Sequence, residues 1–152
     1  VYPKEKENSP LVHREFLRKL KMLLPGDYKP IIITDAGFHN TWFKQVLNLG
    51  WDYIGRVRGK KLYRRLEEKK WKNSKDLYIR ACSEERYIGK VELCITNSLI
   101  TDIYIIKNKK KGRVNLNKLG KKRQNKNETE QSTSANEPWL LATSLGKRGY
   151  NI

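Results

Sequence analysis

The sequence is short of three things: cysteine, long apolar runs and acid. Only Cys82 and Cys94 are present, and neither has a histidine near it at the spacing of a zinc site. That excludes a disulfide scaffold or a zinc module and leaves the expectation of two reduced, mostly buried thiols in a cytoplasmic protein. No stretch approaches the roughly 20 apolar residues that a membrane-spanning helix needs, and none has the layout of a secretory leader. The sequence opens on Val1 rather than Met and reads as a fragment of a longer protein.

The shortage of acid is the most telling. Against 33 lysines and arginines stand 16 aspartates and glutamates, a formal charge of +17 on 152 residues. So large an excess repels itself, and a polyanion is its natural partner. A membrane surface is disfavoured, because no basic stretch carries the broad apolar face of an amphipathic membrane helix. Hydrophobic residues make up 38% of the chain, enough for one core with a solvated remainder.

The pattern along the chain alternates helix and strand, then turns antiparallel. Ser9-Pro10 is suited to start a helix, with Val12, Phe16, Leu20, Leu23 and Leu24 at helical spacing and Pro25-Gly26 ending it. The run Ile31-Ile32-Ile33-Thr34 predicts a strand buried on both faces, closed by Asp35-Ala36-Gly37. Asn40 is placed to cap a helix through Trp42, Phe43, Val46, Leu47 and Leu49, which Gly50 terminates. Residues 51–58 form the next strand, completing a strand–helix–strand unit of a parallel sheet. Trp42, Phe43, Trp51 and Tyr53 are expected in the core. Arg86 to Ile95 and Leu99 to Ile106 read as two strands joined across Thr96-Asn97-Ser98. Residues 107–136 are lysine-rich, then rich in Ser, Thr, Asn and Glu, and read as a disordered, mobile basic loop over about 108–135. Pro138 to Thr143 returns to a buried strand. The expected organisation is an α/β core over 1–59, a basic β-rich insertion over 60–136, and a return strand to the core over 137–152.

Asp35 ends a hydrophobic strand just ahead of a glycine-containing turn, where a sheet presents metal-binding carboxylates; a short acid there also serves simply to cap a turn. The residues around it carry more. The segment ITDAGFHNTWFKQVLNLGWDYIGRVRG, from Ile33 to Gly59, resembles the second-aspartate segment of the DDE transposases of bacterial insertion sequences. These are cut-and-paste enzymes related to the composite-transposon transposases. The upstream FLRKLKMLLP and downstream PWLLATSL sit where that family has similar stretches.

The resemblance implies a partial RNase-H-like catalytic core. It implies metal-dependent strand cleavage and strand transfer on double-stranded DNA, both transposon ends and target, by a homodimer in the synaptic complex of a bacterial, nucleoid-associated enzyme. Two Mg²⁺ (or Mn²⁺) ions held by Asp, Asp and Glu would activate the attacking oxygen and stabilise the leaving one. Asp35 matches the second acid. The family's first acid lies upstream of this segment, and its glutamate lies on a Tyr-Arg-Glu-Lys helix after the PWLLAT strand; neither has a counterpart here. Asp52, Asp102 and Glu137 match no family position and are expected in surface or turn roles. The chain alone is therefore expected to be inactive. Arg56 and Arg58 are implied as contacts to the transposon end, Arg56 being the closer match. Lys60, Lys61, Arg64 and Arg65 extend the positive stretch as phosphate contacts, and Trp139 matches a tryptophan that stacks on a base. His13 and His39 are isolated and read as surface residues. The competing reading is a non-catalytic basic module that holds nucleic acid without chemistry; a nuclease of the same fold would need its remaining acids within the chain.

Overall fold

The computed structural model describes residues 9–107 and 137–147. The lysine-rich loop expected over about 108–135 lies outside them. The fold is mixed α/β, with one seven-stranded sheet and two α-helices among the described residues.

Helix α1 (Pro10–Leu23) starts on proline at its first turn and ends where Leu24 turns extended and donates its N–H to the Leu20 carbonyl. Its buried residue is Leu17, with Leu20 and Leu24 packed beside it. Of the expected stripe, Leu20 and Leu24 pack against the core and Val12 is half-buried, but Phe16 and Leu23 are mostly exposed and Leu17 takes the buried place. The helix packs on α2, with the His13 and Phe16 rings against Trp42, and periodicity alone does not separate adjacent lines on a helix that also carries Leu11, Met22 and Leu23 on its exposed side.

Strand β1 (Ile31–Thr34) and strand β2 (Asp52–Val57) pair in parallel, joined by α2 (Asn40–Asn48). Gly50 takes φ +75° just past α2, the left-handed stop that glycine adopts without a Cβ clash. β1 corrects another expectation. Among the described residues it is an edge strand, and Ile31 and Ile33 are 42% and 75% exposed. Three β-branched residues gave it strand propensity, but only Ile32 faces the packed side. The helix-capping role expected of Asn40 also fails. His39 occupies the cap position, and the Asn40 amide points away, donating to the carbonyls of Leu93 and Asn97, both at 2.9 Å.

After β2 the chain forms β3 (Leu62–Arg65), β4 (Lys72–Asn73), a 3₁₀ segment (Ser74–Arg80), β5 (Arg86–Leu93), β6 (Leu99–Ile106) and β7 (Trp139–Thr143). These strands pair antiparallel, in the sheet order β1-β2-β7-β6-β5-β3-β4. β7 bonds β2 on one side and β6 on the other. The antiparallel region is thus continuous with the parallel pair through β7.

Strand alternation sorts the two faces. Tyr53, Val57, Leu140, Ala142, Ile103 and Ile105 point into the core, where α2 contributes Trp42, Phe43 and Val46. As expected, Trp42, Phe43, Trp51 and Tyr53 are all buried. The Phe43 ring stacks on Tyr53 with centroids 4.5 Å apart. Each such buried ring contributes roughly 1.5–3 kcal/mol by area alone. On the opposite face Asp52, Ile54 and Arg56 stay half-exposed. Cys82 and Cys94 are free and half-buried rather than mostly buried, and Cys94 packs against the core. His13 is not a plain surface residue: it packs on Phe38 and Trp42, and burial followed by the nearby His39 pulls its pKa down.

Asp102, expected at the surface, is 3% exposed. It lies mid-strand in β6, and the Tyr87 hydroxyl donates to it at 2.5 Å. That bond is the main reason the Tyr87 pKa is pushed up to about 12. Burial does the same for Tyr53, also to about 12, against its hydrogen bond to Thr101. An acid whose folded pKa is raised favours the fold while protonated. This contribution is whole below the ordinary tyrosine value near 10 and is lost as pH climbs from there through about 12. Urea midpoints should therefore hold up to about pH 10 and drop steeply above it, with Tyr87→Phe flattening the drop. A midpoint that stays level through this window would disprove the assignment.

Candidate functional site

The parallel pair β1–α2–β2 leaves a crevice outside the carboxyl ends of its strands, the place where open α/β sheets bind ligands. Asp35 is the first residue past β1 and stands there with its side chain 83% exposed. Arg56 comes from the penultimate position of β2, where alternation turns it away from the core. Its guanidinium reaches Asp35 at 3.7 Å and lies 4.9 Å over the ring of Trp139, the first residue of β7. Trp139 is 44% exposed. Three candidates remote in sequence are brought into one cluster.

The ion pair within it is loose. With one partner mostly in water, it is worth at most about 1 kcal/mol. Arg56 is better fixed by the indole, a contact lysine reproduces poorly.

Arg58 follows β2 and faces Glu137 at 4.0 Å; Glu137 is held more closely by Lys75 at 3.0 Å, which raises the Lys75 pKa. Glu137 is thus a charge partner of Arg58, and Asp52 accepts a hydrogen bond from Ser144 at 2.7 Å. Lys60 is exposed and Lys61 half-buried beyond the end of β2. Arg64 and Arg65 do not join the cluster. They sit on β3, separated from β2 in the sheet by β7, β6 and β5. Arg64 is also committed elsewhere, to Glu92 at 2.6 Å and to the Trp71 ring at 5.0 Å. That bond holds the Glu92 carboxyl below its usual range. The linear stretch of positive charge divides because β3 pairs with β5 rather than with β2.

Sequence reasoning missed the other wall of the crevice. A cavity of about 260 Å³ opens beside Asp35, lined by the start of α2, the end of β2 and the β5–β6 turn. Asn40 ties that turn down through the carbonyls of Leu93 and Asn97, while Lys44 and Thr41 hold the Asn97 side chain at 2.7 and 2.9 Å. Asn97 itself has φ +55°, a backbone state that asparagine tolerates better than most residues. The available signal was Asn97 in a turn-prone triplet; its partner 57 residues away was not visible.

As a metal site the described residues are incomplete. Asp35 is a hard oxygen ligand with space in front of it. Among the described residues, however, no three of His, Cys, Asp or Glu are grouped to hold an ion. One carboxylate with an arginine beside it does not fit a pair of magnesium ions, each of which needs several oxygen ligands. Among the described residues no helix is long and apolar enough to cross a membrane. No family model, curated protein or solved structure matches the chain.

Proposed function

We propose that this chain is the part of a DDE-type DNA transposase that carries the second of three metal-binding acids, on an RNase-H-like core with a DNA-gripping antiparallel insertion. The observation that supports this reading best is the convergence of Asp35, Arg56 and Trp139 at the carboxyl end of a parallel strand pair. An acid and a phosphate-binding guanidinium suit a phosphoryl-transfer site on DNA, and an exposed indole suits one that also stacks an unpaired base. Asp35 supplies one metal-binding carboxylate, Arg56 a two-donor grip on a phosphate, and Trp139 a stacking face for an unpaired base. Arg58, Lys60 and Lys61 add affinity without sequence reading.

The reading requires two further acids from outside these 152 residues, and Mg²⁺ or Mn²⁺ only in the assembled enzyme. The chain by itself is accordingly expected to bind DNA without cutting it. In the polypeptide encoded by the complete reading frame, Asp35→Asn should abolish metal-dependent cleavage of duplexes bearing the element's ends while leaving binding to them intact. Cleavage surviving that substitution, or specific cleavage by the 152-residue chain alone, would refute the proposal. A basic nucleic-acid-binding module without chemistry is the second reading. It draws support from Arg56, whose charge offsets the one acid that would repel a polyanion at this site.

A further inference from the structure

We infer that the cavity beside Asp35 is a binding pocket for the phosphate group of a single nucleotide, a seat distinct from the open surface that grips a duplex. The inference rests on the nucleic-acid reading of the neighbouring cluster and adds a particular ligand and place to it.

The charge of the pocket is one-sided. Arg56, Arg58 and Lys61 line it, and among the described residues no aspartate or glutamate does. The acids that approach two of these cations do so from outside, at 3.7 and 4.0 Å. Each is a single long contact, and each arginine carries five N–H donors, so among the described residues these ion pairs engage only part of either guanidinium. Lys61 enters no ion pair among the described residues.

The opposite wall is apolar. Phe43 is 2% exposed and Phe38 is packed against the core. Cations beside a water-excluding wall attract an anion more strongly than cations surrounded by solvent. The size is selective too. At about 260 Å³ the cavity falls just under the roughly 300–1,000 Å³ of ordinary small-molecule sites, so it suits a phosphate with part of its nucleoside rather than a larger ligand.

The rim is built in advance. Asn40 and Asn97 lock the β5–β6 turn against α2 from both sides. A ligand therefore does not have to order that loop, which lowers the entropic cost of binding. Thr96 stands on the turn and lines the pocket.

The test is calorimetric titration of the full chain with inorganic phosphate, thymidine monophosphate and thymidine at low salt. Phosphate and thymidine monophosphate should bind and thymidine should not. Tighter binding of the monophosphate than of phosphate would show that the sugar and base are seated as well. Lys61→Glu should weaken the monophosphate at least tenfold. Lys90→Glu makes the same charge change on an exposed residue of β5 outside the pocket and should weaken it less than threefold. Thr96→Trp, which fills the pocket without altering charge, should block the monophosphate while long duplex DNA still binds. Thermal melts establish that each variant is folded.

Equal losses in the two charge variants, an unaffected Thr96→Trp, or no binding of either phosphate ligand at millimolar concentration would overturn the inference. Duplex binding that persists in those cases sinks the pocket alone. Failure to bind duplex DNA at all sinks the nucleic-acid reading with it.

Discussion

Gly55→Ala is expected to destabilise the chain by about 1–3 kcal/mol, although it adds a single methyl group. Gly55 has an ordinary strand conformation, so the reason is space and not backbone freedom. A Cβ built at this position would lie 2.2 Å from Cζ and 2.3 Å from Cε1 of Phe43. Either separation forces something to move, and Phe43 is 2% exposed and stacked on Tyr53. Displacing the ring pushes α2 away from β2 and shifts the cavity wall that Phe43 forms. Phe43→Leu alone loses packing, but combined with Gly55→Ala it vacates the space that the new methyl needs. The double variant should therefore be less destabilised than the sum of the singles, by about 1 kcal/mol or more in a double-mutant cycle. Strictly additive losses would mean that the clash is relieved in another way.

Asn40→Asp should cost more, about 2–4 kcal/mol at neutral pH, with almost no change of shape. The Asn40 amide nitrogen donates to two carbonyl oxygens, of Leu93 and Asn97, from a position 7% exposed. A carboxylate there has no donor for either and sets negative oxygen against both. Protonation returns one donor. The stability of the variant should thus recover as pH falls into the range where carboxyl groups take up protons, near 4 for an unperturbed one. That is the sign expected of a group whose protonated form is favoured by the fold: the contribution is present at low pH and lost as pH rises. Denaturant midpoints at neutral and acid pH, for the chain and the variant, measure the difference. A midpoint that does not recover in acid would show that the amide does not act through its donors. Nucleotide binding in the cavity should weaken alongside, because the turn carrying Thr96 is released.

Much of the local architecture was legible from residue order. Proline at the head of α1, the β-branched run of β1, the glycine after α2 and the turn-prone triplet between β5 and β6 act over a few residues, and each of these elements formed where local physics puts it. Burial was read less well. Ile31 and Ile33 are as apolar as Ile32, yet they lie at the edge of the sheet and face outward. Asp102 is acidic, yet it is 3% exposed in mid-strand, where the Tyr87 hydroxyl donates to it. In both cases neighbours distant in sequence decided the matter, and no periodicity encodes them.

The candidate site divides along the same line. Asp35 was visible because a carboxylate after an apolar strand and before a turn is a local pattern. Grouping it with Arg56 and Trp139, excluding Arg64 and Arg65, and forming a basic cavity against the β5–β6 turn all depend on strand order. By itself the sequence determined the charge, the types of most helices and strands outside residues 60–80, and the candidate residues, since these follow from composition and short-range sterics. Only the tertiary structure decided which of those residues meet, because the hydrogen bonds that lay β7 between β2 and β6 join segments far apart in the chain.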